Sequence, residues 1–514
     1  MVVPGFGMGI FDMSIAARLR GVVLVAGLLV PVSAVAQVPA LPSEQGAKEI
    51  ADAVRSWLER QTANLVDLSA LALRVLPEGE SYRLELPFGG SYFDNALVLG
   101  DGAAVATVKP LDGGRWSIVN ITLPPALRGE VRNAKDGQFS VMDMTIGNQQ
   151  TTGVYDPSLS TPSTYITTIS DYRSEVRSAG GVQSARIGKI SGRSEWLPTG
   201  PGRVTIQGDS TLEDYTSLSP LPGGEQVKVT IERIGGATRI ENFDIDAMGA
   251  LLRTAFEVGA KAGGNSGGAK RAPPGGKAEG KAENKTEDKT VMIRLLDQIF
   301  AMMDAMETDQ TYENIRVEGG PLFSGSLRRF GLGFAAGAPG GKMEVKLRLA
   351  LEGLESPMIP PGPWLEFIPH KLTLTPKVAG VPKEAVMTLL RQAIATEGRE
   401  IAEDGMALLA DHPVELAIDD LLIDLGPLRL KGQGSLIVSS PQEAGGEAEL
   451  RATGLDALIR RANAVPELKM AAPVLIFLKG IAKQEGNESV WSITYADKKV
   501  MVNDTDLSDL MPSK

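Results

Sequence analysis

Polar and apolar residues alternate along the stretch that follows a Gly426-Pro427 turn. Its even positions are Leu428, Leu430, Gly432, Gly434, Leu436 and Val438. Its odd positions are mostly polar, and alternation with a period of two is typical of a β-strand that buries one face. The apolar run before the turn, which begins at Leu421, completes an antiparallel hairpin. The stretch therefore predicts a strand whose apolar face is formed by Leu428, Leu430, Leu436 and Val438.

Similar patterns predict the elements elsewhere in the chain. Ile50, Val54, Trp57 and Leu58 form one stripe of a helix over residues 47–61. Residues 82–237 are mostly strand-like and are punctuated by Gly-Gly and Asp-Gly turns, as in an antiparallel meander. Helical spacing then returns at Met292, Leu295, Leu296, Ile299, Met303 and Met306. We predict an α+β fold of extended antiparallel β-sheets with flanking helices, in which this last helix packs on a sheet or offers a methionine-rich groove.

Three short segments resemble one another and suggest a repeated unit. They are ALLRTA at residues 250–255, TLLRQA at 388–393 and ALIRRA at 457–462. Their central leucines are separated by intervals in a two-to-one ratio, and each segment follows strand-like or turn-rich sequence. A repeat of strands followed by a packing helix would produce this arrangement.

Composition predicts a boundary within the chain. Residues 261–290 consist mainly of Gly, Ala, Pro, Lys and Glu, with almost nothing apolar to bury. Such a segment is expected to be a disordered linker, or a loop within one sheet, and its weak positive charge is typical of a solvated segment rather than a binding arm. It divides the chain into an N-terminal α+β region, residues 37–260, and a C-terminal α+β region, residues 291–514.

The N-terminus has the three parts of a signal peptide. Arg18 and Arg20 precede the apolar run GVVLVAGLLVPV, and Ala34-Val35-Ala36 follows it. The apolar run is short for a membrane span, and no later segment reaches the length of one. We therefore predict a signal peptide over residues 1–36, a periplasmic or secreted protein that begins at Gln37, and no transmembrane segment after cleavage.

Charge and cysteine content exclude several classes of function. The 514 residues include 52 basic and 63 acidic side chains, for a net charge of −11. An acidic chain without basic clusters is poorly suited to nucleic acid. The chain has no cysteine, so disulfides, thiolate metal sites, cysteine nucleophiles and a lipid-modified cysteine are excluded.

Candidate chemistry is sparse. The two histidines are His370 and His412; the second lies near Glu415, Asp419 and Asp420 but lacks the paired histidine of a zinc motif. A G-x-S-x-G match at residues 264–268 falls in the predicted linker rather than at a strand-to-helix turn. Acidic residues 504–509 lack the glycine and terminal glutamate of a calcium loop. We predict no catalytic, cofactor or metal site, and therefore no enzyme.

The region from Glu415 to the C-terminus resembles a known family. The sequence AIDDLLIDLGPLRLKGQGSLIVSSPQEAGGEAELRATGLDALIRRA is similar to the exported Gram-negative proteins of domain of unknown function 2125. The closing segment SVWSITYADKKVMVNDTDLSDLMP is also similar to the last hairpin of AsmA-like envelope proteins, although Asp497-Lys498 and Asn503-Asp504 replace two glycines typical of that hairpin. The resemblance implies periplasmic residence and a long β-sheet built from repeats, and it supplies no catalytic residues.

Two functions of different classes follow from these observations. The first is a non-catalytic exported envelope protein whose apolar sheet face receives helices such as LDALIRRA and, where uncovered, binds lipid, another apolar ligand or an envelope protein. The second is a secreted hydrolase in which carboxylates from distant parts of the chain meet in a cleft.

Overall fold

The computed structural model describes residues 42–508 except 62–71, 93–96, 133–138, 160, 179, 222–223, 252–253, 255–279, 321–323, 358, 360–361, 363–367, 397–404, 406–411, 441–442, 467–468 and 504. The predicted signal peptide, residues 261–279 of the predicted linker and the G-x-S-x-G match lie outside the described residues.

Strands dominate the fold. They make up 61% of the structure, and they belong to one large antiparallel sheet. The prediction of extended antiparallel sheet with flanking helices is confirmed, but the protein is mostly β rather than a balanced α+β protein. The sequence pattern suggested more helix because stripes of large apolar residues at helical spacing are easy to recognise. The long strands are harder to recognise, since they alternate apolar residues with Ser, Thr, Gly and Arg rather than consisting of β-branched and aromatic residues.

Nine strands form the N-terminal part of the sheet. They are β1 (Arg74–Glu78), β2 (Ser81–Pro87), β3 (Gly90–Tyr92), β4 (Leu97–Leu99), β5 (Ala103–Pro110), β6 (Trp116–Thr122), β7 (Ala126–Arg132), β8 (Phe139–Thr145) and β9 (Gln149–Asp156). One arm follows the order β1-β2-β5-β6-β9, and the other follows β3-β4-β7-β8. Both arms end on the next strand, β10, where β9 pairs with its first half and β8 with its second half.

The rest of the sheet is a meander of long strands. They are β10 (Thr161–Ser178), β11 (Gly181–Gly200), β12 (Arg203–Pro220), β13 (Gln226–Asp244), β14 (Ala305–Glu318), β15 (Gly325–Gly337), β16 (Lys342–Glu355), β17 (Lys371–Pro382), β18 (Val414–Asp424), β19 (Arg429–Val438), β20 (Ala444–Thr453), β21 (Lys483–Glu485), β22 (Glu488–Ala496), β23 (Lys499–Val502) and β24 (Thr505–Asp506). Each strand from β10 to β19 pairs with the next along the chain. β22 then pairs with β20 on one side and with β21 and β23 on the other.

Helices lie at three places along this sheet. They are α1 (Glu44–Gln61), α2 (Gly280–Met302), α3 (Lys383–Thr396), α4 (Leu455–Ala464) and α5 (Ala472–Ile481), and residues 245–251 are also helical. α1 confirms the helix predicted from residue 47. α2 includes residues 280–290 of the predicted linker and ends before Met306, which belongs to β14. The pairing of β13 with β14 carries the sheet across the chain interval that contains that linker.

Three apolar clusters hold these elements together. The largest packs α1, through residues such as Trp57, against both N-terminal arms and the first strands of the meander, where Tyr155 and Ile187 are buried. A second joins α4 and α5 to the strands around Trp491. A third packs Val204 and Phe243 against Met302 and the helical residues 245–251.

A row of left-handed residues crosses the long strands. Asp171, Asp214, Asn314 and Gly353 have φ values of 53°, 56°, 53° and 68° on β10, β12, β14 and β16. Each interrupts the ladder of pairs without changing its register. Each strand thus contains one additional residue at this row, and beyond it the side chains that faced one side of the sheet face the other. Leu212 and Tyr215 of β12 therefore both face the large N-terminal cluster, although residues three apart on a regular strand point to opposite faces. Asp and Asn are the non-glycine residues that tolerate this conformation best.

Candidate functional site

The meander has one polar and one apolar face. Cross-strand partners lie on the same face of a sheet, so the register assigns every residue to a face. The polar face carries ion pairs such as Lys189–Glu213, Arg239–Glu241 and Arg328–Glu352, with nitrogen–oxygen distances of 3.8, 2.9 and 2.6 Å. The opposite face is apolar in most of its cross-strand rows, although one row crosses β12–β14 through Ser210, Gly236 and Gln310. We call it the apolar face.

The two ends of the apolar face are covered. At the N-terminal end, Ile169, Ile187 and Tyr215 are buried in the large cluster beneath α1 and the short strands. At the C-terminal end, Leu428, Leu430 and Leu450 pack against Leu455 and Leu458 of α4, beside Trp491. Trp491 also donates a hydrogen bond from Nε1 to the Leu478 carbonyl at 2.8 Å, which ties α5 to this end.

The middle of the apolar face, from β15 to β18, is open. Six large side chains on it keep between 39% and 50% of their surface accessible; they are Leu332, Leu347, Leu354, Val378, Leu416 and Ile418. Five of them are neighbours across consecutive strands. Leu332 pairs with Leu349, which shares its face with Leu347, and Val378 pairs with Val345 of β16 and with Leu416 of β18, where Ile418 follows on the same face. Leu354 lies farther along β16, beyond Gly353. Exposed apolar residues on a sheet are usually scattered, whereas a contiguous patch marks a binding surface.

A cavity of about 350 Å³ continues this open surface toward the covered C-terminal end. Its walls are leucine and isoleucine side chains; they come from Leu416, Ile418, Leu421, Leu436, Leu450 and Ile493. Its floor is formed by small residues, including Gly432, Gly434 and Ala448. The volume lies within the ~300–1,000 Å³ typical of small-molecule sites. The cavity can therefore accommodate an apolar ligand.

Glycines at the centre of β19 make this close packing possible. A Cβ at Gly432 would lie 2.4 Å from Leu450 Cδ2, and one at Gly434 would lie 2.5 Å from Ala448 Cβ. Side chains at these two positions would displace the cavity wall and the neighbouring strand β20. The interruption of the apolar alternation by two glycines is thus a structural requirement of the cavity.

The four residues predicted from the sequence divide between the two environments. Leu428 and Leu430 are covered by the helix LDALIRRA, now α4. Leu436 lines the cavity, opposite Leu416. Val438 lies at the end of the same face, opposite the buried Val414. β19 therefore contributes Leu428 and Leu430 to the part of the apolar face that a helix covers, and Leu436 to the part that stays open.

Most of the open surface was missed from the sequence. The stretch KMEVKLRLALEG alternates in the same way and contains Leu347 and Leu349, so its period could have revealed β16. β18 was harder to interpret, because the register shifts between Ile418 and Leu421 and breaks the alternation.

Behind the open surface, the polar face carries a group of charged residues on β16–β18. Lys346 Nζ lies 2.6 Å from an Asp419 carboxylate oxygen, and Lys377 Nζ lies 2.9 Å from Glu415. The hydrogen bond with Glu415 is the main cause of a raised pKa for Lys377, which therefore stays protonated. Glu415 and Asp419, which follow His412 in the chain, are thus held in ion pairs with lysines. Among the described residues, no group of three or more His, Cys, Asp or Glu could hold a metal ion.

A second cavity, of about 670 Å³, lies along the row of left-handed residues. Its lining includes Asp214, Glu232, Asn314, Arg328 and His370. His370 is held there through its backbone, because its carbonyl accepts a hydrogen bond from Gly353 N at 2.9 Å and its N–H donates to the Asp424 carbonyl at 2.7 Å. The acidic and basic side chains are mixed, so the cavity favours neither an anion nor a cation.

No helix in the described part of the chain is both long and apolar enough to cross a membrane. Of the acidic residues near the C-terminus, Asp504 and Asp509 lie outside the described residues. Asp506 accepts hydrogen bonds from Ser508, and these bonds lower the pKa of its carboxyl group. The Asp506 carboxylate is therefore already bonded within the chain.

Comparison with known proteins places similarity in the C-terminal part of the chain. Residues 274–497 match the model of a family described as an uncharacterized protein conserved in bacteria (DUF2125). This confirms the resemblance to domain of unknown function 2125 inferred from the sequence. The match includes β14–β22 and all the residues named above for the open surface and the cavity. No curated protein and no solved structure matches the chain.

Proposed function

We propose that this protein is a non-catalytic periplasmic protein that binds a lipid acyl chain on the open part of its apolar face. The observation that carries the proposal is the continuity of the exposed leucines on β15–β18 with the 350 Å³ cavity between β18 and β22. The signal-peptide pattern and the resemblance to AsmA-like envelope proteins support the location. The absence of any catalytic motif in the sequence supports a binding role.

The energetics favour an occupied surface. Fully burying a leucine side chain stabilises a protein by about 1.5–3 kcal/mol. Leaving six large side chains roughly half exposed therefore forfeits several kcal/mol, which is comparable with the whole stability of a domain. An apolar ligand that covers these side chains recovers part of this free energy as binding affinity.

The shape and chemistry of the surface favour a long, unbranched apolar ligand. The open surface and the cavity together span seven adjacent strands, β15–β20 and β22, which is roughly 29 Å at about 4.8 Å per strand spacing. The cavity walls are aliphatic, and glycine and alanine form the floor. An acyl chain could lie across the strands with its end in the cavity, whereas the polar part of the lipid would remain at the solvent-exposed edge.

Two tests follow from this assignment. Protein purified from the periplasm should carry lipid that native mass spectrometry detects, and the delipidated protein should bind a fluorescent fatty acid. Leu416→Lys should abolish binding while the protein stays folded, because Leu416 is 42% exposed and its substitution places a charge at the cavity mouth. The matched control is Ile437→Lys, since Ile437 is 52% exposed on the polar face of the adjacent strand.

A cavity-filling variant tests the same site without a charge. Ala448→Phe places a ring on the cavity floor, and Thr494→Phe places the same ring on the opposite face of neighbouring strand β22. We expect the first variant to lose fatty-acid binding and the second to retain it. Equal binding by Leu416→Lys, Ala448→Phe and the wild type would refute the proposed site.

A further inference from the structure

Helix α5 is unusually apolar for a helix on the surface. Its outward side chains Val474, Ile476, Phe477 and Leu478 are 57%, 53%, 44% and 37% exposed, and the preceding Met470 is 90% exposed. The inward side of the helix is already packed, because Leu475 and Ile481 contact the C-terminal cluster. The apolar outer side therefore is not needed to hold the helix in place.

The charge around this helix differs from that of the whole protein. Residues 455–483 contain five basic and two acidic side chains, a local charge of +3 in a chain of −11. Lys469 precedes the exposed residues, while Lys479 and Lys483 lie at the end of the helix and just beyond it. Lys479 forms an ion pair with Asp456 of α4, which fastens the two helices to each other. Large apolar side chains surrounded by lysines are typical of segments that lie in the interface of an anionic membrane.

The helix is also connected to the cavity. Leu450 and Ile493 belong to the cavity wall and to the same cluster as Leu475 of α5. A bilayer in contact with α5 would therefore lie beside the covered end of the apolar face.

We propose that α5 inserts its outer side into the surface of an anionic phospholipid membrane. The protein would then exchange an acyl chain between that membrane and the apolar face. The exchange rests on the function proposed above, whereas membrane docking by α5 does not.

The experiment measures sedimentation of the full mature chain with vesicles. Vesicles that contain phosphatidylglycerol should bind the protein, and phosphatidylcholine vesicles should bind it much less. The double variant Ile476→Asp/Phe477→Asp should bind the anionic vesicles at least tenfold more weakly. Lys469→Gln should weaken binding about fivefold, as expected for one basic residue at an anionic surface. Val182→Asp/Leu197→Asp is the matched control, because both side chains are 46% exposed and lie on β11.

The variant Leu416→Lys separates the two proposals. If it loses the fatty acid but still binds vesicles, then docking and acyl-chain binding are both supported. Failure of the wild type to bind anionic vesicles, or equal binding by the α5 double variant, would overturn the docking proposal. Sedimentation equilibrium that shows a dimer disrupted by the double variant, without vesicle binding, would likewise overturn it and assign the helix to self-association.

Discussion

The difference between the covered and the open parts of the apolar face can be measured with two equivalent substitutions. Leu430→Asp places a carboxylate beneath α4, where the side chain packs with the cluster around Leu455 and Trp491. Leu347→Asp places the same group on the same face, but at a side chain that is 46% exposed and belongs to none of the three apolar clusters. Only the environment differs between the two changes.

The expected magnitudes differ accordingly. Removing a buried leucine costs about 2–5 kcal/mol, and leaving a polar group without a partner in an apolar site adds about 1–3 kcal/mol. Leu430 is only partly buried, so we expect Leu430→Asp to cost about 3–5 kcal/mol, which is enough to unfold a domain of ordinary stability. For Leu347→Asp, hydration of the carboxylate should keep the cost near 1 kcal/mol.

Urea denaturation followed by circular dichroism would give both free energies of unfolding. Arg429→Asp is the control for β19, because Arg429 is exposed on the polar face next to Leu430. Its cost should stay near 0.5 kcal/mol. If Leu430→Asp and Leu347→Asp destabilise the protein equally, then the division into covered and open parts is incorrect. If Leu430→Asp is as harmless as Arg429→Asp, then the assignment of faces on β19 is incorrect.

Four further predictions follow. N-terminal sequencing of protein from the periplasm should begin at Gln37, and an intact N-terminus on exported protein would contradict the signal peptide. Trypsin should cut within residues 261–290, because this segment is rich in lysine and poor in apolar residues. The two fragments should co-elute in size exclusion, because β13 pairs with β14 along much of its length. Separate elution would show that the segment joins independent domains. Asp214→Val should cost about 1–2 kcal/mol through its φ of 56°, whereas Asp214→Gly should be nearly neutral in urea denaturation; equal costs would contradict the left-handed conformation. The hydrogen bond from Lys479 lowers the pKa of the Asp456 carboxylate. The ion pair therefore stabilises the protein fully above the unfolded pKa of about 3.9, and this stabilisation is lost as the pH falls through the lower folded pKa. The difference in stability between the wild type and Asp456→Asn should shrink below about pH 4, and a constant difference would contradict the ion pair.

Local pattern was sufficient where a single element determines its own conformation. The alternation from Leu428 to Val438 predicted β19 because adjacent side chains on a strand must point to opposite faces. The Gly426-Pro427 turn predicted the hairpin with β18 for an equally local reason. The stripe Ile50, Val54, Trp57 and Leu58 predicted α1, and all four side chains are buried in the structure.

Local pattern was insufficient where the outcome depends on which surfaces meet. Leu430 and Leu347 occupy the same kind of position in equally alternating strands, yet α4 covers only the first. The sequence of β16 contains no information on how far α4 extends over the sheet, because that distance is set by the loop after β20 and by the packing of α4 with α5.

The sequence by itself determined that the protein consists of amphipathic strands, has no cysteine chemistry and resembles an uncharacterised bacterial family. Only the tertiary structure decided that these strands form one sheet, that a row of extra residues such as Asp171 and Asp214 switches its faces in register, and that the middle of its apolar face stays open. The physical reason is that alternation defines which side chains share a face of one strand, whereas burial depends on the neighbours that the whole chain brings to that face.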